Sequence, residues 1–217
     1  MWPELLTALF QASRSADPSF REGAYRIFAT TPGIIEKQHN ESVKEAFVAG
    51  FGDEAVNVRI AAMEAFAAFF RSIKKSQQTA LSDLVGPLLG VLGPLQTTEN
   101  SENLSRAFMA LIDLAEVSPK MFKAPFNGLV GFAIKCVQDK ELGDQTRQNA
   151  LELMATFADF APGMCRKDPN YTADMVTQCL SFMTDIGIDD DDAEEWNESD
   201  DVRVTTQFDE DKCADQG

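Results

Sequence analysis

A repeat constrains this chain more than any other feature of it. The stretches "FREGAYRIFAT" from Phe20, "VRIAAMEAFAAF" from Val58, "LSRAFMALIDLA" from Leu104 and "TRQNALELMATF" from Thr146 share one frame, with positions at offsets 0, 4, 7 and 11. The frames read Phe20, Ala24, Ile27, Thr31; then Val58, Ala62, Ala65, Phe69; then Leu104, Phe108, Leu111, Ala115; then Thr146, Ala150, Leu153, Phe157. All are apolar except Thr31 and Thr146, and the spacing sets them on one stripe of a 3.6-residue helix. The frames start 38, 46 and 42 residues apart, the length of a two-helix repeat unit. Further apolar helix candidates lie at about 2–14, 34–51, 78–95, 120–138 and 170–186, alternating with the framed ones. Such helices are too amphipathic to be stable alone and must bury their stripes against neighbours. The pattern therefore predicts an all-α solenoid of four to five HEAT-type helix pairs over residues 1–188. Strands are not expected, because period-2 alternation between hairpin turns is nowhere sustained.

Turn chemistry divides the chain in the same places. Asp17-Pro18, Gly52-Asp53, Glu99-Asn100-Ser101 and Gly143-Asp144 precede the framed helices, where Asp, Asn and Ser cap free N–H groups and Pro suits the first turn. Pro32, Pro119 and Pro162 follow three of them and stop propagation. The second framed helix has no such proline, so "RSIKKSQQ" must end it another way. In "LSDLVGPLLGVLGPLQ", Pro87 and Gly93-Pro94 predict a kinked helix that ends near Leu95. The apolar start "WPELLTALF" is unlike the polar outer face of a terminal repeat, which predicts that the series extends before Met1.

Catalytic chemistry has little to stand on. The one histidine, His39, reads as an exposed polar residue, and no phosphate-binding, dinucleotide-binding, nucleophile-elbow or zinc-protease motif occurs. Neither an enzyme nor a cofactor is expected. Cys136, Cys165, Cys179 and Cys213 contain no C-x-x-C pair and read as reduced thiols. No signal peptide or apolar span of membrane length is present, which predicts an intracellular chain without membrane insertion. The phenylalanines Phe66, Phe69, Phe70, Phe157 and Phe160 read as core at helical spacing.

Charge is distributed unevenly. Of 35 acidic residues, 13 lie in residues 189–217 against only two basic ones, in a segment that reads as an acidic, disordered tail. Its start, "DDDDAEEWNESDD", holds nine carboxylates around Trp196. It lacks the glycine that lets a calcium loop converge its oxygens, so no metal site is expected. A net charge of −16 argues against direct nucleic-acid binding and for a basic protein partner. On the framed helices, Asp113 and Glu116, and Glu152 and Asp159, lie off the apolar stripe at spacings that let each pair share a face. They read as a solvated face or as an acidic inner surface for a basic peptide.

Two segments carry a family resemblance. "WPELLTALFQASRSADPSFREGAYRIFATTPGI" and "DDDDAEEWNESDD", with "SPKMFKAPF" and "TRQNALELMATFA" between them, resemble the N-terminal third of an importin-β family nuclear transport receptor of the importin-five, or karyopherin beta-3, branch. The resemblance implies a carrier moving between cytoplasm and nucleus. Such carriers hold nuclear localisation signals or basic cargo such as ribosomal proteins and histones on the inner face, meet Phe-Gly nucleoporin repeats between outer helices, and release cargo when the GTPase Ran binds in its GTP-bound form. It also implies that an acidic loop touches Ran or cargo through Asp189, Asp190, Asp191, Asp192, Glu194, Glu195, Asp200 and Asp201, with Trp196 as apolar anchor. A HEAT scaffold or phosphatase-type regulatory subunit without a transport role is the alternative that periodicity alone leaves open.

Overall fold

The computed structural model describes residues 3–34 and 40–184. In chain order the α-helices are α1 (Pro3–Ala12), α2 (Pro18–Thr30), α3 (Asn40–Phe51), α4 (Val56–Ser72), α5 (Lys75–Leu81), α6 (Val85–Gly90), α7 (Ser101–Val117), α8 (Phe126–Gln138), α9 (Asp144–Phe160), α10 (Pro162–Cys165) and α11 (Tyr171–Thr184). Short 3₁₀ turns join several of them, and no strand occurs among the described residues. The chain divides into two compact units, residues 1–179 and 180–217, and only 180–184 of the second is described.

Helices α2, α4, α7 and α9 are the four framed helices, and each packs on the next to form one layer. Helices α1, α3 and α8 pack on α2, α4 and α9 as partners in helix pairs, whereas α5 and α6 pack on α3 and the 3₁₀ turn Gly93–Leu95 that follows them meets α7. Polar contacts fix the register of the layer. Glu64 meets Arg106 and, seven residues on, Arg71 meets Asp113, so α4 and α7 run parallel with a shift of 42 residues. Ser101 with Thr146 and Ser105 with Asn149 do the same for α7 and α9.

The interior is aromatic. Tyr25, Phe28, Phe47, Phe51, Phe66, Phe69 and Phe70 form one cluster among α2, α3 and α4, and Phe122, Phe126, Phe157 and Tyr171 a second around α8 and α9. Both tyrosines are buried, and each donates its hydroxyl to a backbone carbonyl 2.5 Å away, Tyr25 to Ala46 and Tyr171 to Met154. Burial pushes the Tyr25 hydroxyl pKa up to about 12, so it holds its proton across the physiological range.

The apolar frame is buried throughout α4, α7 and α9, whereas on α2 the stripe is displaced by one residue. Arg21, Ala24, Tyr25 and Phe28 are buried there, while Phe20 and Ile27 are 63% and 41% exposed. Arg21 and Tyr25 are drawn toward α3 and the turn before α4, where Arg21 binds Asp53 and the Tyr25 hydroxyl donates to the Ala46 carbonyl, and this rotation leaves Phe20 and Ile27 exposed. Phe160 also departs from expectation, at 53% exposure, while Phe66, Phe69, Phe70 and Phe157 are core. It occupies the repeat position held by Ser72 and Ser118, at the helix end and outside the stripe.

Helix ends follow local chemistry more than the expected caps. Asp17 caps α2, accepting from the Ser19 N–H at 2.8 Å with Pro18 in the first turn. Asp53 instead accepts from the Ala55 N–H just before α4, and Ser101 gives its hydroxyl to the next repeat, accepting from Gly143 N–H at 2.9 Å. The proline missing after α4 is replaced by Gln78. Its buried amide donates to the carbonyls of Phe70 and Ile73 at 2.9 and 3.3 Å, groups that the helix end leaves unpaired. The expected kink near Pro87 is a break. Residues Ser82–Leu84 form a 3₁₀ turn, and Pro87 falls in the first turn of α6, where its absent N–H leaves no bond unmade.

Candidate protein-binding face

The solvent side of the layer formed by α4, α7 and α9 comes from residues that the apolar stripe leaves out. On α4 these are Asn57, Glu64, Ala68 and Arg71; on α7, Glu102, Arg106, Met109, Asp113 and Glu116; on α9, Gln148, Glu152 and Asp159. Spacings of three, four and seven carry each set along one line of its helix.

The two acidic pairs expected on this face behave differently. Asp113 and Glu116 converge on one cation, Arg71 of the preceding repeat, at 2.7 and 3.1 Å. All three side chains remain 40–50% exposed, so the cluster is solvated and leaves one negative charge uncompensated. Glu152 and Asp159 are exposed and make no ion pair among the described residues. Two repeats earlier, the matching position to Glu152 is Glu64, which Arg106 clamps at 2.8 Å through two guanidinium nitrogens. That pair raises the pKa of Arg106, mainly through the hydrogen bond from the guanidinium to Glu64. Between these clusters stands Met109, 58% exposed, an apolar side chain in line with Arg106 and Asp113.

Sequence reading missed Arg71, Glu64, Arg106 and Met109. A search for opposite charges one repeat apart would have found the first three, since 64 to 106 and 71 to 113 are both separations of 42.

A second polar cluster is structural. Arg21 reaches Asp53 through two nitrogens, at 2.7 and 2.9 Å, and donates to the carbonyls of Ser15 and Ala16 at 2.9 Å. It ties the turn before α2 to the turn before α4. Burial works against the charged form of Asp53, but the hydrogen bonds from Arg21 and from the Ala55 N–H outweigh it and hold the carboxyl below its usual pKa.

Among the described residues no group of three or more His, Cys, Asp or Glu side chains could hold a metal ion. Cys136, Cys165 and Cys179 are free, and burial pushes the Cys136 thiol up to about 12, far from a reactive thiolate. No described helix is long and apolar enough to cross a membrane. His39, Cys213 and the acidic run with Asp189, Asp190, Asp191, Asp192, Glu194, Glu195, Trp196, Asp200 and Asp201 lie outside the described residues.

Helix pairs stacked at a period of about 42, their framed helices parallel and joined by ion pairs between α4 and α7 and by Ser, Thr and Asn contacts between α7 and α9, define an α-solenoid repeat protein of the HEAT type. Comparison with known proteins narrows this. The family described as "IPO5-like, TPR repeats" matches residues 1–132, and "Importin repeat" matches 139–217. The chain belongs to the importin-5-like family of nuclear transport receptors. It is 40% identical over 201 residues to importin subunit beta-3 of Saccharomyces cerevisiae, covering 93% of this chain and 18% of that protein. A probable importin-5 homolog of Dictyostelium discoideum is 20% identical over 92% of this chain and 19% of its own length. Among solved structures, Kap121p alone superposes with a TM-score of 0.82 at 39% identity, covering 93% of this chain and 20% of that one. Kap121p bound to Nup53p does so with 0.81 at 38%, over 91% and 19%. The chain thus spans about a fifth of the relatives it matches.

Proposed function

We propose that this chain is part of a nuclear import receptor that shuttles between cytoplasm and nucleus and uses the inner layer of α4, α7 and α9 to hold basic cargo. The observation that carries the reading is the charge on that layer. Asp113 and Glu116 share a single arginine, and Glu152 and Asp159 are exposed without one, on a chain whose relatives are import receptors. Four carboxylates on two adjacent helices attract a Lys/Arg-rich segment, speed its association and lose strength as salt screens them. Met109 offers an aliphatic side chain of such a segment something to cover. The receptor does no chemistry on its cargo. Ran loaded with GTP releases it, Phe-Gly nucleoporin segments bind between outer helices, and the carboxylates of residues 189–201 with Trp196 meet Ran or cargo. Ribosomal proteins and histones have the basic character this surface favours.

A pull-down tests the reading with immobilised chain against Ran loaded with GTP or with GDP, a Phe-Gly repeat peptide and a Lys/Arg-rich signal peptide. Salt-sensitive capture of the basic peptide, weakened when Asp113, Glu116, Glu152 and Asp159 are changed to Asn or Gln, is the expected result. Equal capture by the substituted chain would remove the inner layer from the mechanism. Failure of all three ligands on the chain joined to the remaining repeats would remove the transport reading.

A further inference from the structure

Charge in this molecule is also sorted by edge, and the sorting has no part in the function proposed above. Because α4, α7 and α9 run parallel, the loops that follow them emerge on one edge of the layer, and the loops that precede them on the other. After α4 come Lys74 and Lys75; after α7, Lys120 and Lys123; after α9 and α10, Arg166 and Lys167. All six are exposed, and none makes an ion pair among the described residues. The only acid in these three loops is Asp168, whose carboxylate accepts from the Asn170 N–H. The opposite loops hold Asp17, Asp53, Glu54, Glu99, Asp139, Glu141 and Asp144 against Arg14 and Lys140.

Helix dipoles account for part of this, since cations stabilise C-termini, but the effect falls off within the last turn. The six cations lie two to seven residues beyond Ser72, Val117 and Phe160, the last residues of α4, α7 and α9. Arg166 and Lys123 also end the short α10 and the 3₁₀ turn Pro119–Phe122, but Lys74, Lys75 and Lys167 are not called for by any helix C-terminus. The six cations stand as three pairs, one per repeat, on a chain with net charge −16.

We propose that this edge is a docking surface for an acidic polypeptide segment of a partner protein, distinct from the inner face that takes basic cargo. The spacing favours a peptide. Neighbouring packed helices lie about 10 Å apart, which is three residues of extended chain at about 3.3 Å each. A Glu/Asp-rich segment running along the edge therefore brings carboxylates to Lys74 and Lys75, then Lys120 and Lys123, then Arg166 and Lys167 in turn. A long polyanion such as duplex DNA meets the repulsion of the rest of the molecule, while a short segment confined to the edge does not.

The test is fluorescence anisotropy of a labelled dodecaglutamate peptide with the full chain at low salt. Parallel arms use a uridine dodecamer and phosphatidylserine-containing vesicles. Binding of dodecaglutamate is expected to weaken by roughly tenfold or more when all six cations are changed to Gln. Arg14→Gln with Lys140→Gln on the other edge should change it less than about twofold on the same reasoning. Circular dichroism checks that the sixfold variant keeps its helices, and variants altered one loop at a time should give graded losses. Absence of peptide binding, equal binding by the sixfold variant, or six-cation-dependent binding that prefers the uridine dodecamer or the vesicles would each overturn the proposal. The basic signal peptide should bind the sixfold variant at least as well as the parent, which separates this surface from the inner face.

Discussion

Gly50 sets two opposed effects against each other, and the structure decides the sign. It lies one residue from the end of α3, where alanine ordinarily stabilises a helix by up to about 1 kcal/mol through lower backbone entropy in the unfolded chain. A methyl group here would stand 2.6 Å from Ala62 Cβ and 2.7 Å from both Cζ and Oη of Tyr25. Comfortable carbon contacts lie near 3.5–4.0 Å, so all three overlap by about 1 Å. None can yield cheaply. Ala62 is buried on α4 with no rotatable bond, and Tyr25 is packed by Phe28 and Phe47 while its hydroxyl donates to Ala46. Relief requires α3 to move off α4, at about 1–3 kcal/mol for overpacking and about 1 kcal/mol more if the Tyr25 hydrogen bond is lost. Gly50→Ala should therefore destabilise by about 1–3 kcal/mol net, which at a urea slope near 2 kcal/mol/M lowers the midpoint by about 0.5–1.5 M. Gly23→Ala on α2 is the control, with nothing within 4 Å of the added methyl, and should be neutral or stabilising. Urea titrations followed by circular dichroism at 222 nm measure both. Tyr25→Phe should cost less in the Gly50→Ala background than alone, because it removes one of the three overlaps. A neutral Gly50→Ala, or a Gly23→Ala equally damaging, would refute close packing as the reason for glycine at this position.

Other predictions rest on single contacts. Gln78→Ala should cost about 1–3 kcal/mol by leaving the carbonyls of Phe70 and Ile73 without their donor, read from the urea midpoint. Asp53 has a folded pKa below its unfolded value, so its contribution is present above about pH 4 and is lost as pH falls through the folded value. The stability gap between the parent and Asp53→Asn should therefore be full at neutral pH and narrow below about pH 4, and a gap independent of pH would contradict this. Arg71→Gln frees Asp113 and Glu116 and should tighten binding of a Lys/Arg-rich peptide by about two- to tenfold, measured by titration calorimetry.

Residue spacing determined the class of fold because burial of an amphipathic stripe is a local demand. Val58, Ala62, Ala65 and Phe69 must face a core whatever surrounds them, and repetition of that frame forces repeated packing. Proline positions likewise marked Pro32, Pro119 and Pro162 as helix stops, since a missing N–H acts within one turn. The acids at Asp113, Glu116, Glu152 and Asp159 were legible as off-stripe charges for the same reason. What only the tertiary structure decided is which neighbour each residue meets. Gln78 ends α4 by folding back five and eight residues, Arg71 occupies Asp113 and Glu116 from another repeat, and Phe20 and Ile27 remain exposed although their frame matches buried positions elsewhere. Contacts between residues some 42 apart depend on helix register, and register is set by the summed packing of whole faces. The sorting of cations and carboxylates to opposite edges became visible only once that register fixed the helices as parallel.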